Sequence, residues 1–100
     1  MSTSAISSAS APQKLDLYFG IRHHDLQQLG KALENGDLAS AQQDYVTIQN
    51  LGQHGPFPNG NAFWNSSRQQ DFEAVGSALK SGDLATAQQA YRQLQSTFSE

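Results

Sequence analysis

The sequence predicts an all-α protein built from two tandem helix-turn-helix hairpins. Residues 22–49 and 68–95 align without a gap, and 14 of the 28 positions are identical. In both copies the apolar residues recur at intervals of three and four, which places them on one face of a helix. A repeated unit of this length cannot bury its apolar face alone, so it must pack on a second unit.

Each copy carries a turn signal between its two predicted helices. Gly36 and Gly82 supply the left-handed residue that ends the first helix of a hairpin. Asp37 and Asp83 follow them and can accept hydrogen bonds from the free backbone N–H groups of the next helix. We therefore expect a tight connection within each hairpin.

The chain divides into a tail and one domain. Residues 1–13 are rich in Ser and Ala, and we expect them to form a disordered N-terminal tail. The rest, residues 14–100, should be a single helical domain. Its parts are hairpin 1 at about 22–50, a connecting loop at 51–66, and hairpin 2 at about 67–98.

The connecting loop is predicted from its glycine and proline content, which would break a helix attempted there. Ser67 and Gln70 follow it with the spacing of a capping box, so the third helix should start near residue 67. A loop of about 17 residues is long for a helix–helix connection, and such loops are commonly functional or ordered by their own side chains.

Two glycines lie inside predicted helices at equivalent positions of the two copies. Gly30 and Gly76 each cost about 1 kcal/mol relative to alanine in a helix interior. Their retention in both copies predicts that a neighbouring helix approaches closely there.

Composition narrows the class of function. The net charge is -3 and the six basic residues are scattered, so we expect no nucleic-acid partner. No apolar run is long enough for a secretory signal or a membrane span, and we expect no membrane partner and a cytoplasmic location.

No pattern typical of an enzyme or a metal site is present. The chain has no cysteine, and the adjacent His23 and His24 point about 100° apart on a helix, so they cannot share a metal ion. Arg22 and Arg68 each precede an aspartate by three residues, which favours an exposed ion pair over an acid–base pair. We expect no catalytic residue, no metal and no cofactor.

The candidates for partner binding are three aromatic residues of the loop and two helical glutamines. Phe57, Phe63 and Trp64 could form a contact surface, because aromatic residues are enriched at interfaces, or a lid over one end of the helices. Gln42 and Gln88 could line a peptide groove, bridge the two hairpins or simply face water. These alternatives stay open from the sequence.

The hairpin pattern resembles the tetratricopeptide repeat. The first copy carries the pattern as Leu29-Gly30, Gly36-Asp37-Leu38, Ala41 and Tyr45, and the second as Val75-Gly76, Gly82-Asp83-Leu84, Ala87 and Tyr91. The repeat spacing is 46 residues where that family uses about 34. The resemblance implies a short stack like that of tetratricopeptide repeats, whereas the long connection would let the two hairpins pack face to face as a four-helix bundle. Two copies of the chain stacking in a homodimer would bury the same apolar faces.

The function we expect is that of a noncatalytic protein–protein interaction or assembly module, through a protein partner or self-association. The alternative is a small-molecule or metal binder within a helical bundle.

Overall fold

The computed structural model describes the backbone of residues 2–98 and the side chains of residues 15–98. It contains four α-helices: α1 (Ser2–Glu34), α2 (Leu38–Gln53), α3 (Ser66–Lys80) and α4 (Leu84–Ser96). The linker between α2 and α3 contains one 3-10 turn, Pro58–Gly60. No strand occurs within residues 2–98. The predicted all-α class is confirmed.

The two hairpin turns form as the sequence predicts. Gly36 and Gly82 have φ angles of 70° and 74°, in the region that favours glycine. Asp37 accepts hydrogen bonds from the backbone N–H and the hydroxyl of Ser40, at 3.1 and 2.8 Å. Asp83 makes the equivalent pair with Thr86, at 3.1 and 2.7 Å. These bonds hold the pKa of both carboxyl groups below the usual range.

One of the two linker boundaries differs from the sequence prediction. Helix α2 continues to Gln53, because Gly52 leaves room for the backbone of Ala62 and the first proline comes only at Pro56. Helix α3 begins at Ser66, which confirms the predicted start near residue 67.

The predicted capping box at Ser67 and Gln70 is wrong. Asn65 is the N-cap, and its side chain accepts from the backbone N–H groups of Ser67 and Arg68 at 2.8 and 3.2 Å. An asparagine is as good a cap as serine and stands two residues earlier, so it takes the role first.

Helix α1 starts at Ser2 and so includes the segment that we expected to be a tail. The side chains of residues 1–14 lie outside the described part of the chain, and the disordered tail stays a prediction.

The two hairpins pack face to face as a bundle, which is one of the two arrangements the sequence allows. Helices of the same hairpin pack on each other, and between the hairpins α1 packs on α4 while α2 packs on α3. This pairing has an approximate two-fold symmetry, because α1 corresponds to α3 in the repeat and α2 to α4. One core runs through both hairpins and includes Leu29, Leu33, Ile48, Phe72, Val75, Leu79 and Leu94, all buried.

The glycines inside α1 and α3 make the close approach that the sequence predicts. The Tyr91 ring of hairpin 2 lies on Gly30, where an added Cβ would stand 2.6 Å from the tyrosine oxygen. The Tyr45 ring of hairpin 1 lies on Gly76, where an added Cβ would overlap the ring. The two contacts are equivalent under the repeat, so each hairpin packs one tyrosine ring against a helix glycine of the other.

No helix among the described residues is both long and apolar enough to span a membrane.

Candidate functional site

The linker brings three aromatic residues to the end of the bundle opposite the two hairpin turns, with very different exposure. Phe63 is 1% exposed and belongs to the core, with its ring centroid 5.5 Å from that of Phe72. Phe57 is half-buried, whereas Trp64 is 75% exposed. Phe63 therefore closes the end of the bundle as a lid would, and Trp64 does not.

Trp64 is part of a cluster of rings on the surface. Its centroid lies 5.9 Å from that of Phe57, and Phe57 lies 6.2 Å from Phe19 of α1. Beneath them the buried Tyr18 meets Phe57 edge to face at 5.6 Å. We call Phe19, Phe57 and Trp64 the aromatic surface. Asn65, the N-cap of α3, follows Trp64 directly and fixes the backbone that presents the indole.

The linker is fastened to α1 below this surface. The Tyr18 hydroxyl and Arg22 Nη1 both donate to the carbonyl oxygen of Ala62, at 2.7 and 3.0 Å. The Arg22 guanidinium also lies over the Phe63 ring, 4.4 Å from its centroid. Burial raises the pKa of Tyr18 and lowers that of Arg22, and the positive charge of Arg68 lowers the Arg22 pKa further.

Arg68 occupies the equivalent position in hairpin 2 and performs an equivalent role. It donates to the hydroxyl and the carbonyl oxygen of Thr97, at 3.0 and 2.8 Å, and lies 4.4 Å from the Phe98 ring centroid. The two repeated arginines thus bind backbone carbonyls and rings at the ends of the hairpins. The exposed ion pairs that the sequence suggested for them are not the contacts that the structure shows.

An open groove of about 640 Å³ begins beside the aromatic surface and runs between α1 and α4. Phe19 belongs to both features, and the apolar part of the groove comes from Leu26, Leu94 and Phe98. Arg22 and Arg92 are its charged residues, and no aspartate or glutamate of residues 15–98 is among those that line it. The groove therefore combines an apolar floor with two arginine side chains.

The equivalent space between α2 and α3 measures only about 170 Å³. Residues 59–62 of the linker form one wall of it, and Gln69 Oε1 accepts from the backbone N–H groups of Ala62 and Phe63 at 3.0 and 3.1 Å. The repeat places His23 where Gln69 stands and Leu26 where Phe72 stands. The chain thus fills one of two related grooves with its own linker, while the other stays open to the surface.

Gln42 and Gln88 lie between the hairpins, near the turn end of the bundle. Gln42 Nε2 donates to the carbonyl oxygen of Leu79 at 2.8 Å, and Gln88 Nε2 donates to that of Leu33 at 2.6 Å. The two bonds are equivalent under the repeat, and each gives a second hydrogen bond to a carbonyl in the last turn of a helix of the other hairpin, which also accepts from the turn glycine. Of the roles open to these amides, bridging the hairpins is the one that the geometry shows.

Within the described residues, no three His, Asp or Glu side chains come together as a metal site would require. The sequence pointed to Phe57, Phe63 and Trp64 but missed Arg22 and Arg92 as members of a binding surface. The recurrence of arginine at positions 22 and 68 was a usable signal for Arg22. Arg92 has no such signal, since valine stands at its counterpart, Val46.

Comparison of the chain with protein families, characterised proteins and solved structures gives no match.

Proposed function

We propose that this protein is a noncatalytic protein-interaction module and that the aromatic surface is where its partner binds. The observation that carries the proposal is Trp64, which is the only tryptophan of the chain and is 75% exposed, with its ring beside the half-buried ring of Phe57. Tryptophan is among the residues most enriched at the energetic centres of interfaces. A cytoplasmic location belongs to the same proposal.

The energy available at this surface supports a specific contact. A tryptophan buries roughly 150–250 Å² when it is covered, and apolar area contributes about 25 cal/mol per Å². Covering the exposed part of Trp64 is therefore worth on the order of 3 kcal/mol before the cost of association. The indole is already positioned by Asn65 and Phe57, so little additional ordering is needed on binding.

The charge beside the aromatic surface favours a different protein over a second copy of this chain. A two-fold dimer would place the same patch against itself. That arrangement would bring Arg22 and Arg92 of one copy toward those of the other, and like charges across an interface are unfavourable. A partner with an apolar segment and acidic side chains complements the surface without this repulsion.

A small-molecule binder is the second candidate function, and the groove between α1 and α4 is the observation that favours it. Its volume of about 640 Å³ lies within the usual range for ligand sites, roughly 300–1,000 Å³. In contrast, the core between the hairpins is filled by buried side chains.

The test compares three forms of the full chain as bait in cells that express it naturally. Trp64→Ser should lose a specific partner that the wild-type chain retains, with an unchanged circular dichroism spectrum. The control variant is Val46→Ser, which removes an exposed apolar side chain from α2 and should retain the partner.

The partner is then purified and titrated into the wild-type chain while tryptophan emission is recorded, using a partner variant without tryptophan. Because Trp64 is the only tryptophan of this chain, a blue shift on binding reports that this indole leaves water. Retention of the same partners by Trp64→Ser, or binding without an emission shift, contradicts the proposal. Loss of helicity in Trp64→Ser also contradicts it, because the indole would then be part of the core.

A further inference from the structure

We infer that the groove between α1 and α4 binds a peptide segment of another protein, with a large apolar side chain next to a carboxylate. This inference rests on the proposed function, because it names the kind of segment that the partner contributes. Three observations carry it: the internal template, the charge of the groove and its continuity with the aromatic surface.

The internal template is the linker. In the equivalent groove between α2 and α3, the occupant is the linker at residues 59–62, where the 3-10 turn Pro58–Gly60 is followed by Asn61 with φ and ψ of -71° and 141°. Its backbone N–H groups bind the side chain of Gln69, and the Phe63 ring that follows packs on Phe72. A peptide segment thus already occupies one of the two grooves, and the aromatic side chain that follows it packs on the phenylalanine of that groove.

The open groove offers matching positions for such a peptide. Its floor is Leu26, the counterpart of Phe72, with Leu94 and Phe98 beside it. Gln95 and Gln27 line the groove as well and can bind peptide backbone groups. An apolar side chain of the peptide would pack on this floor, and the glutamine amides would form hydrogen bonds with the peptide backbone.

The charge of the groove selects the residue beside that apolar side chain. Arg92 is exposed on α4, and Arg22 faces the same space from α1. Arg22 is half-buried, and one of its terminal nitrogens is used by Ala62. A carboxylate from the peptide can pair with these guanidinium groups, and such charge-assisted bonds are roughly twice as strong as neutral ones. No lining carboxylate among residues 15–98 competes for them.

Continuity with the aromatic surface makes one binding site of the two features. Phe19 lines the groove and also lies 6.2 Å from Phe57 in the aromatic surface. A peptide lying in the groove can therefore continue over Phe19 toward Trp64.

The experiment uses the full chain and a display library of random linear peptides as the probe. We expect the enriched peptides to share an aromatic or large aliphatic residue next to aspartate or glutamate. A synthetic peptide from this set is labelled, and its affinity is measured by fluorescence anisotropy. Replacing its acidic residue by the corresponding amide should weaken binding by about tenfold or more.

Charge reversal in the protein locates the site. Arg92→Glu should lower the affinity for the acidic peptide by about tenfold or more. It should raise the affinity for the same peptide carrying lysine at the acidic position. Lys80→Glu is the matched control, since it makes the same charge change at an exposed residue near the hairpin turns. That variant should change the affinity less than about twofold, because its charge is screened over such a distance.

Each other outcome overturns the inference. An equal effect of Lys80→Glu would mean that only net charge matters. Absence of the acidic pattern from the enriched peptides would remove the basis for pairing with the arginines. Decanoate is added as a probe for a small apolar carboxylate. If it binds the groove as tightly as the peptide does, the inference of a peptide site is wrong. The Trp64 experiment can succeed in all three cases, so failure here is distinguishable from failure of the proposed function.

Discussion

The two interfaces between the hairpins, α1 with α4 and α2 with α3, share several contacts at equivalent positions of the repeat but differ in what covers them. Tyr91 on Gly30 repeats Tyr45 on Gly76, and the glutamine bridges at positions 42 and 88 repeat as well. The linker fills the groove beside α2 and α3, whereas the groove beside α1 and α4 is open. These shared positions therefore hold the bundle together. The proposed binding surface adds residues that the copies do not share: Arg92, whose counterpart is Val46, and the linker residues Phe57 and Trp64, which lie outside the repeat.

The largest expected effect is a loss of stability when a glycine that packs against a tyrosine ring is replaced. Gly76→Ala should destabilise the bundle by about 1–2 kcal/mol, because overpacking against the Tyr45 ring costs about 1–3 kcal/mol and better helix propensity returns up to about 1. Urea unfolding followed by circular dichroism measures this change. Gly20→Ala is the matched control, since no atom lies within 4 Å of the added Cβ. Gly20→Ala should stabilise the protein by up to about 1 kcal/mol. If Gly76→Ala stabilises the protein as well, the close approach of the Tyr45 ring is absent.

A smaller effect distinguishes the two tyrosines. The Tyr91 hydroxyl donates to the Leu26 carbonyl oxygen at 2.6 Å and accepts from Gln95 at 3.0 Å. Tyr45 instead stacks on Phe72, with centroids 4.4 Å apart, and its hydroxyl has no hydrogen-bond partner among the described residues. Tyr91→Phe should therefore cost about 1 kcal/mol, and Tyr45→Phe should stay within about 0.5 kcal/mol of the wild type.

The same unfolding experiment measures both substitutions. An equal loss of unfolding free energy in the two variants would show that the two hydroxyl groups contribute alike. The proposed difference between the two tyrosines would then be wrong.

The smallest effect is a dependence on alkaline pH. Burial and the negative charge of Glu73 raise the pKa of Tyr45 from 10.0 to about 12. The folded state thus favours the neutral phenol, and its contribution to stability is complete below pH 10 and lost as the pH rises toward 12.

Tyrosinate absorbance near 295 nm, recorded with circular dichroism on the same samples, measures this ionisation. The difference between the wild type and Tyr45→Phe should titrate near pH 12. A difference that titrates near pH 10 while the helices remain intact would contradict the burial of this phenol.

The sequence contains the local signals of this fold but not its long-range choices. Gly36 and Asp37 determine a turn through their own backbone preferences, so that turn could be predicted from a few neighbouring residues. Gly30 and Gly76 predicted a close approach, but the partner of each glycine lies in the other hairpin and depends on how the hairpins pair. Asn65 was missed because a capping box two residues later matched a familiar pattern.

The candidate site was less predictable than the fold. Phe57, Phe63 and Trp64 are neighbours in sequence, yet one is core and another is exposed, because the path of the linker over the bundle separates them. The open groove depends on that path too, since residues 59–62 cover one of two related spaces. No local pattern reports which space a linker covers.

The most direct test of this account is a titration of the isotope-labelled full chain with the selected acidic peptide, followed by amide chemical shifts. We expect the shifts to concentrate in residues 22–27 and 91–96, the two helical segments that contain most of the residues lining the open groove. Their repeat counterparts, residues 68–73 and 45–50, should change little because the linker already occupies that side. Comparable shifts in both sets, or shifts confined to the counterparts, would contradict the claim that the open groove is the binding site.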